Sequence, residues 1–112
     1  YMKFKPGDTN SVDENTEITA LFGDNDASFD TVISKVDGYH PADGEKVINE
    51  ESERAYYVID GEGLIHVGEE SFQVKSGDLV FVEKGKGHAL EGNMKTLVIT
   101  SPPFDPENER IE

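Results

Sequence analysis

Gly77-Asp78-Leu79-Val80-Phe81-Val82-Glu83-Lys84-Gly85-Lys86-Gly87-His88 carries the clearest fold signal in the chain. Gly-Asp opens a turn, the four apolar residues Leu79 to Val82 form a short buried strand, and Lys84 to Gly87 turn again to deliver a single histidine. Upstream, Arg54-Ala55-Tyr56-Tyr57-Val58-Ile59 is an aromatic and β-branched strand expected to stop on the turn Gly61-Glu62-Gly63. Leu64 to Val67 then pairs with Ser71 to Val74 across Gly68-Glu69-Glu70 as a hairpin. Lys95 to Thr100 is the last expected strand, and the proline-rich Ser101 to Pro106 ends the sheet because proline cannot donate to a ladder.

Toward the start, residues 1–16 are polar and rich in turn formers, which reads as a flexible N-terminal arm ahead of a single domain over residues 17–112. Glu17 to Phe22 is a first strand ended by Gly23 to Asp26, and Phe29 to Val36 is a second, closed by Asp37-Gly38. Tyr39 to Gly44 reads as loop, with His40-Pro41 held extended. Nowhere does a 3.6-residue apolar period persist, and turn signals recur often, so the pattern predicts an all-β sandwich or barrel.

The charge balance narrows the partners. Acidic residues number 24 against 10 basic ones, a formal charge of -14, so the averaged surface potential repels phosphate backbones and anionic lipid heads. Nucleic acid and membrane surfaces are therefore not expected partners. No apolar run approaches the roughly 20 residues of a membrane helix. The absence of cysteine removes disulfides, thiolate metal ligands and a thiol nucleophile, and fits a cytoplasmic location.

The quoted stretches resemble the cupin superfamily, whose fold is a jelly-roll β-barrel with two short motifs lining one pocket. Gly77, Gly85 and His88 match the second motif at its spacing, while Glu83 stands where proline is usual and Asn93 falls one place late, with Gly92 at the expected position. The run from Tyr56 to Gly63 matches the tail of the first motif. Counting back from Gly61 puts Arg54 in the slot of the metal-binding glutamate. The two histidine slots fall on Ile48 and Glu50, or on Val47 and Asn49 with a spacer one longer. The resemblance spans about residues 29–104 and implies a homodimer through sheet edges. In members that keep the pattern, three histidines and a glutamate hold a divalent metal for isomerase, epimerase or oxygenase chemistry. Here only His88 of that set remains, so no tightly bound metal is expected; if one binds, His88 and Glu50 are its ligands.

Strand alternation carried back and forward from Arg54 turns Glu50, Ser52, Tyr56 and Val58 to the same inward face, opposite His88. Glu50, Ser52, Arg54, Tyr56 and His88 are thus the candidate ligand-binding residues. A guanidinium repels a divalent ion and favours a carboxylate, phosphate or hydroxyl-rich molecule. His40 and His66 read as surface residues, and only one of Tyr56 and Tyr57 can face inward. Three functions follow: a cupin binding a polar or anionic small molecule such as an organic acid or sugar derivative, a divalent-metal enzyme, or a structural or partner-binding domain with a vestigial pocket.

Overall fold

The structure, a computed structural model, describes residues 3–21, 27–42 and 44–112. Within them the chain folds as β1 (Thr9–Asp13), β2 (Thr16–Ala20), β3 (Asp30–His40), β4 (Val47–Asn49), β5 (Glu53–Val67), β6 (Glu70–Lys75), β7 (Leu79–Val82), β8 (His88–Ser101) and β9 (Glu109–Ile111). A single 3-10 turn, Pro106–Asn108, is the only helical element among the described residues, and none of their helices is long and apolar enough to cross a membrane. The strands form one curled antiparallel sheet in the order β1-β2-β3-β8-β4-β9, with β5 joining β8 to β6 and β7. This is a jelly-roll barrel. Its core is built by alternate residues of the long strands: Val36 from β3, Tyr56, Val58 and Ile65 from β5, Val74 from β6, Val82 from β7, and Leu90, Met94 and Val98 from β8. Each contributes about 1.5 to 3 kcal/mol by leaving water, largely offset by the entropy of ordering such long-range pairings.

Several expectations are corrected. Gly61-Glu62-Gly63 is not a turn: β5 runs through it without interruption, paired to β8 as Gly61↔Met94 and Gly63↔Gly92. The glycines are there because the backbones nearly touch. A Cβ on Gly63 would stand 2.1 Å from the Glu91 carbonyl, and one on Gly61, at φ +90, would stand 2.2 Å from the Asn93 carbonyl. Asp37-Gly38 likewise fails to end its strand, and β3 continues to His40, which is therefore not in a loop. The expected last strand begins at His88 rather than Lys95.

The prolines do not end the sheet either. After the turn at Pro106–Asn108 the chain returns as β9 beside β4, in the register Val47↔Ile111 and Asn49↔Glu109. Residues 9–13 of the expected arm form β1, paired with β2, and Thr16 at the head of β2 is buried. Phe22 and the Gly23 to Asp26 turn lie outside the described residues. The strand Leu79 to Val82 was expected to be buried throughout, yet only Val80 and Val82 turn inward; Leu79 and Phe81 are 59% and 53% exposed on the outer face.

Candidate functional site

β4 stops at Asn49 because its side-chain Oδ1 accepts hydrogen bonds from the backbone of Glu51 (3.0 Å) and Ser52 (2.7 Å), an Asx-type turn that breaks the strand before β5 resumes. Alternation counted back from Arg54 therefore holds to Ser52 and fails beyond it. Ser52 is buried and donates to the Pro102 carbonyl at 2.7 Å. Glu50 faces solvent instead, taking the guanidinium of Arg110 at 2.7 Å, and so stands apart from the other four candidates.

Arg54, Tyr56 and His88 come together inside the barrel. Tyr56 Oη and His88 Nε2 are 2.8 Å apart, both side chains buried, with the rings tilted at a centroid distance of 5.5 Å. Burial pushes the Tyr56 phenol up, only partly countered by the Arg54 charge, so the hydroxyl stays protonated. Burial also pushes the His88 imidazole down to about 3, and Arg54 adds to the effect. A neutral imidazole and a protonated phenol fix the polarity of the bond: Tyr56 donates to Nε2, and the imidazole proton resides on Nδ1, which is buried with no hydrogen-bond partner.

Arg54 remains charged. Burial works against its guanidinium, but the Tyr56 oxygen and the Glu109 carboxylate outweigh that and raise its proton affinity. Its Nη2 donates to Glu109 Oε2 at 2.7 Å, and the Phe104 ring lies 5.6 Å from the guanidinium carbon. Glu109 is the register partner of Asn49, and its carboxylate holds Arg54. Two donors of these residues are spent on nothing: Arg54 Nε and Asn49 Nδ2 are buried without a hydrogen-bond partner.

Sequence reasoning missed Glu109, which lies beyond the prolines and reaches Arg54 only through a strand pairing. It also missed a second polar group on the inner face. His40 shares a row with the buried Leu90, and its Nδ1 meets Asp13 Oδ2 at 2.7 Å. Burial opposes ionisation of Asp13, but the bonds from His40 and the Asn15 amide prevail and hold its carboxyl below the ordinary range. His40 and His66, read as surface residues, are both half-buried; His66 bonds Ser71 and Glu91 and stacks on Tyr39. An open depression of about 710 Å³, lined by Glu62 to Leu64, Gln73 to Lys75 and Asp78, includes none of the predicted site residues.

The donor set does not suit the metal of the wider family. Val47 and Asn49, not Ile48 and Glu50, occupy the inward positions beside His88 and Glu109, as the pairings Val47↔His88 and Asn49↔Glu109 require. An aliphatic side chain and a carboxamide replace two imidazoles, and a guanidinium replaces the carboxylate. Among the described residues no group of three or more histidine, aspartate and glutamate side chains is placed to hold an ion.

A cupin-domain family model matches residues 38–100, more than half of the chain, and the protein belongs to that family. It is 36% identical over 64 residues to an uncharacterized protein of Methanocaldococcus jannaschii, covering 54% of this chain and 51% of that one. It is 32% identical over 59 residues to the oxalate-binding protein of Thermotoga maritima, covering 53% of this chain and 43% of that one. The chain thus spans about half the length of the curated relatives it matches. In structure it is similar to Streptomyces Pac13 with uridine, at a TM-score of 0.88 and 21% identity over 100% of this chain and 91% of the other, a likeness of fold. Pac13 is described as a nucleoside dehydratase.

Proposed function

We propose that this cupin binds a small, polar, acceptor-rich molecule at the Asn49, Arg54, Tyr56 and His88 end of the barrel, without a tightly held metal. The observation that carries this reading is the pair of unspent buried donors, Arg54 Nε and Asn49 Nδ2, on the ion-pair partner and the register partner of Glu109. A buried donor left unpaired costs about 1 to 3 kcal/mol, which a ligand oxygen recovers. Glu109 already balances the Arg54 charge, so hydroxyl and carbonyl oxygens of a nucleoside or sugar fit better than a free carboxylate, which would have to displace Glu109. The uridine held by the structurally similar Pac13 and the name of the oxalate-binding relative bracket these two chemistries. The cover over the group is thin: β9 is three residues long and pairs only with β4. A thermal-shift screen of nucleosides, sugars and organic acids tests the reading. At least one class should raise the melting temperature of the parent and not that of Asn49→Ala; a screen in which nothing stabilises the parent contradicts it.

A second reading, metal-free acid–base catalysis, is favoured by the Asp13–His40 dyad. Asp13 orients the imidazole through Nδ1 and leaves Nε2 to take a proton from a substrate held on the same inner face, as an elimination of water demands. If so, His40→Gln abolishes turnover of a bound nucleoside while leaving its affinity intact; equal turnover in parent and variant removes the dyad from the chemistry.

A further inference from the structure

The hairpin of β5 and β6 carries on its outer face a group of side chains that the barrel site does not use. His66 lies opposite Ser71 in the register of that hairpin, and its Nδ1 stands 2.7 Å from the Ser71 hydroxyl. Its Nε2 stands 2.8 Å from Glu91 Oε1 on β8. The sheet builds this bridge. Ile65 and Leu90, the alternate neighbours, lie in the core, which turns His66, its partner Ser71 and Glu91 outward. The register sets the small, fully buried Ala89 beside His66, so the ring lies across β8 and stacks on Tyr39 of β3, 6.1 Å between centroids. A carboxylate has only acceptors: in the neutral ring the Nε2 proton goes to Glu91, and Nδ1 is left to accept from the Ser71 hydroxyl. Hydroxyl, imidazole and carboxylate in a row are the parts that make a serine nucleophilic, recognised by geometry rather than by order in the chain. Their access suits the task, with Ser71 exposed and the His66 side chain 19% exposed.

Beside the array is room for a substrate. The next register pair on the same face, Leu64 and Gln73, and the one after it, Glu62 and Lys75, line the open depression of about 710 Å³. Leu64 gives it an apolar wall, and Gln73, two residues from Ser71 on one strand, brings a carboxamide donor to the same face.

We propose that Ser71, His66 and Glu91 form an esterase site, separate from the barrel interior, for esters of small uncharged carboxylic acids seated in this depression. Ser71 Oγ attacks the ester carbonyl carbon while its proton passes to His66 Nδ1, and the carbonyl oxygen takes the negative charge with the Gln73 carboxamide as donor. Collapse of the tetrahedral adduct breaks the bond to the alcohol oxygen, which leaves with the proton from Nδ1, and the acyl group stays on Oγ. Water, giving its proton to the same Nδ1, then attacks the acyl carbon; the acid leaves and the proton returns to Oγ. The product acid is an anion beside a chain of formal charge -14, which favours its departure and disfavours esters that are already anionic.

Hydrolysis of p-nitrophenyl acetate tests this. The parent should release p-nitrophenol with an initial burst, and mass spectrometry should find the acetyl group on Ser71. Ser71→Ala should abolish the burst, and His66→Gln should slow release about a hundredfold or more, the lower end of what a positioned base contributes. Glu91 touches no reacting atom and is a positioning residue, so Glu91→Gln should lower kcat and leave KM unchanged. Ser76→Ala, in the exposed turn after β6, should match the parent. Labelling of the unsubstituted chain with diisopropyl fluorophosphate gives a reading that depends on no variant's folding: the phosphoryl group should attach to Ser71 with loss of fluoride. Acetylation confined to lysines, equal release by the parent and Ser71→Ala, or a Ser71 left unlabelled by diisopropyl fluorophosphate overturns the proposal.

Discussion

Tyr56 Oη donates to His88 Nε2 across 2.8 Å in the barrel interior, one residue placed by β5 and the other by the first position of β8. Each is the other's remedy for burial: the phenol gains an acceptor and the ring nitrogen a donor. Tyr56→Phe keeps the ring and removes only that donor. It should destabilise the fold by about 1 to 3 kcal/mol with an unchanged denaturant slope, read by urea unfolding; a loss below a few tenths indicates that the bond contributes nothing.

The same pair sets a pH dependence. The folded-state pKa of His88 lies at about 3, below the 6.5 of an ordinary histidine. Above pH 6.5 neither folded nor unfolded chain carries the proton, and the group has no effect. As pH falls from 6.5 toward 3 the unfolded chain takes up a proton that the folded chain refuses, so stability declines through that window, by up to roughly 5 kcal/mol at 1.36 kcal/mol per pKa unit. Carboxylates titrate in the same range, so the measurement is the difference in urea midpoint between parent and His88→Gln. That difference should shrink or reverse on acidification; a constant difference contradicts a neutral buried imidazole.

Arg54 and Glu109 form the other buried contact, 2.7 Å between Nη2 and Oε2 with 9% and 19% of the side chains exposed. Glu109→Gln leaves a cation without its counter-charge and should cost about 2 to 4 kcal/mol, whereas Arg54→Met combined with Glu109→Gln should cost less than the sum of the two. A double-mutant cycle gives the coupling directly, and additivity within about 0.5 kcal/mol would show the pair to be incidental.

Those residues also mark how far the sequence could be read. Turn spacing and the Gly77 to His88 motif were enough for the barrel, and period two from Arg54 anticipated the burial of Ser52 and Tyr56. Glu50 escaped the same rule because the Asn49 turn breaks the strand between them, a hydrogen-bond event that alternation cannot register. Glu109 was hidden behind Pro102, Pro103 and Pro106, where local signals end a sheet although the chain later rejoins it. Gly61 and Gly63 misled for a related reason: the freedom that suits a turn equally suits two strands crossing at contact distance.

The donor set gives an expectation for metals. Protein purified without added metal should carry well under one equivalent of zinc, iron, manganese or nickel by elemental analysis, and chelation should leave its melting temperature unchanged, because a resident ion would stabilise by mass action. One equivalent per chain, lost in His88→Ala, would restore the metal-enzyme reading.

Whether Arg54 Nε and Asn49 Nδ2 take the oxygens of a polar ligand is read by nitrogen-15 NMR of the side-chain N–H groups during titration with uridine and, separately, with oxalate. The neutral probe should move the Arg54 Nε–H and Asn49 carboxamide resonances together and saturably, and Arg54→Lys should weaken that binding by about 1 to 3 kcal/mol. Binding that leaves both resonances in place, or that Arg54→Lys does not weaken, would contradict the proposed site.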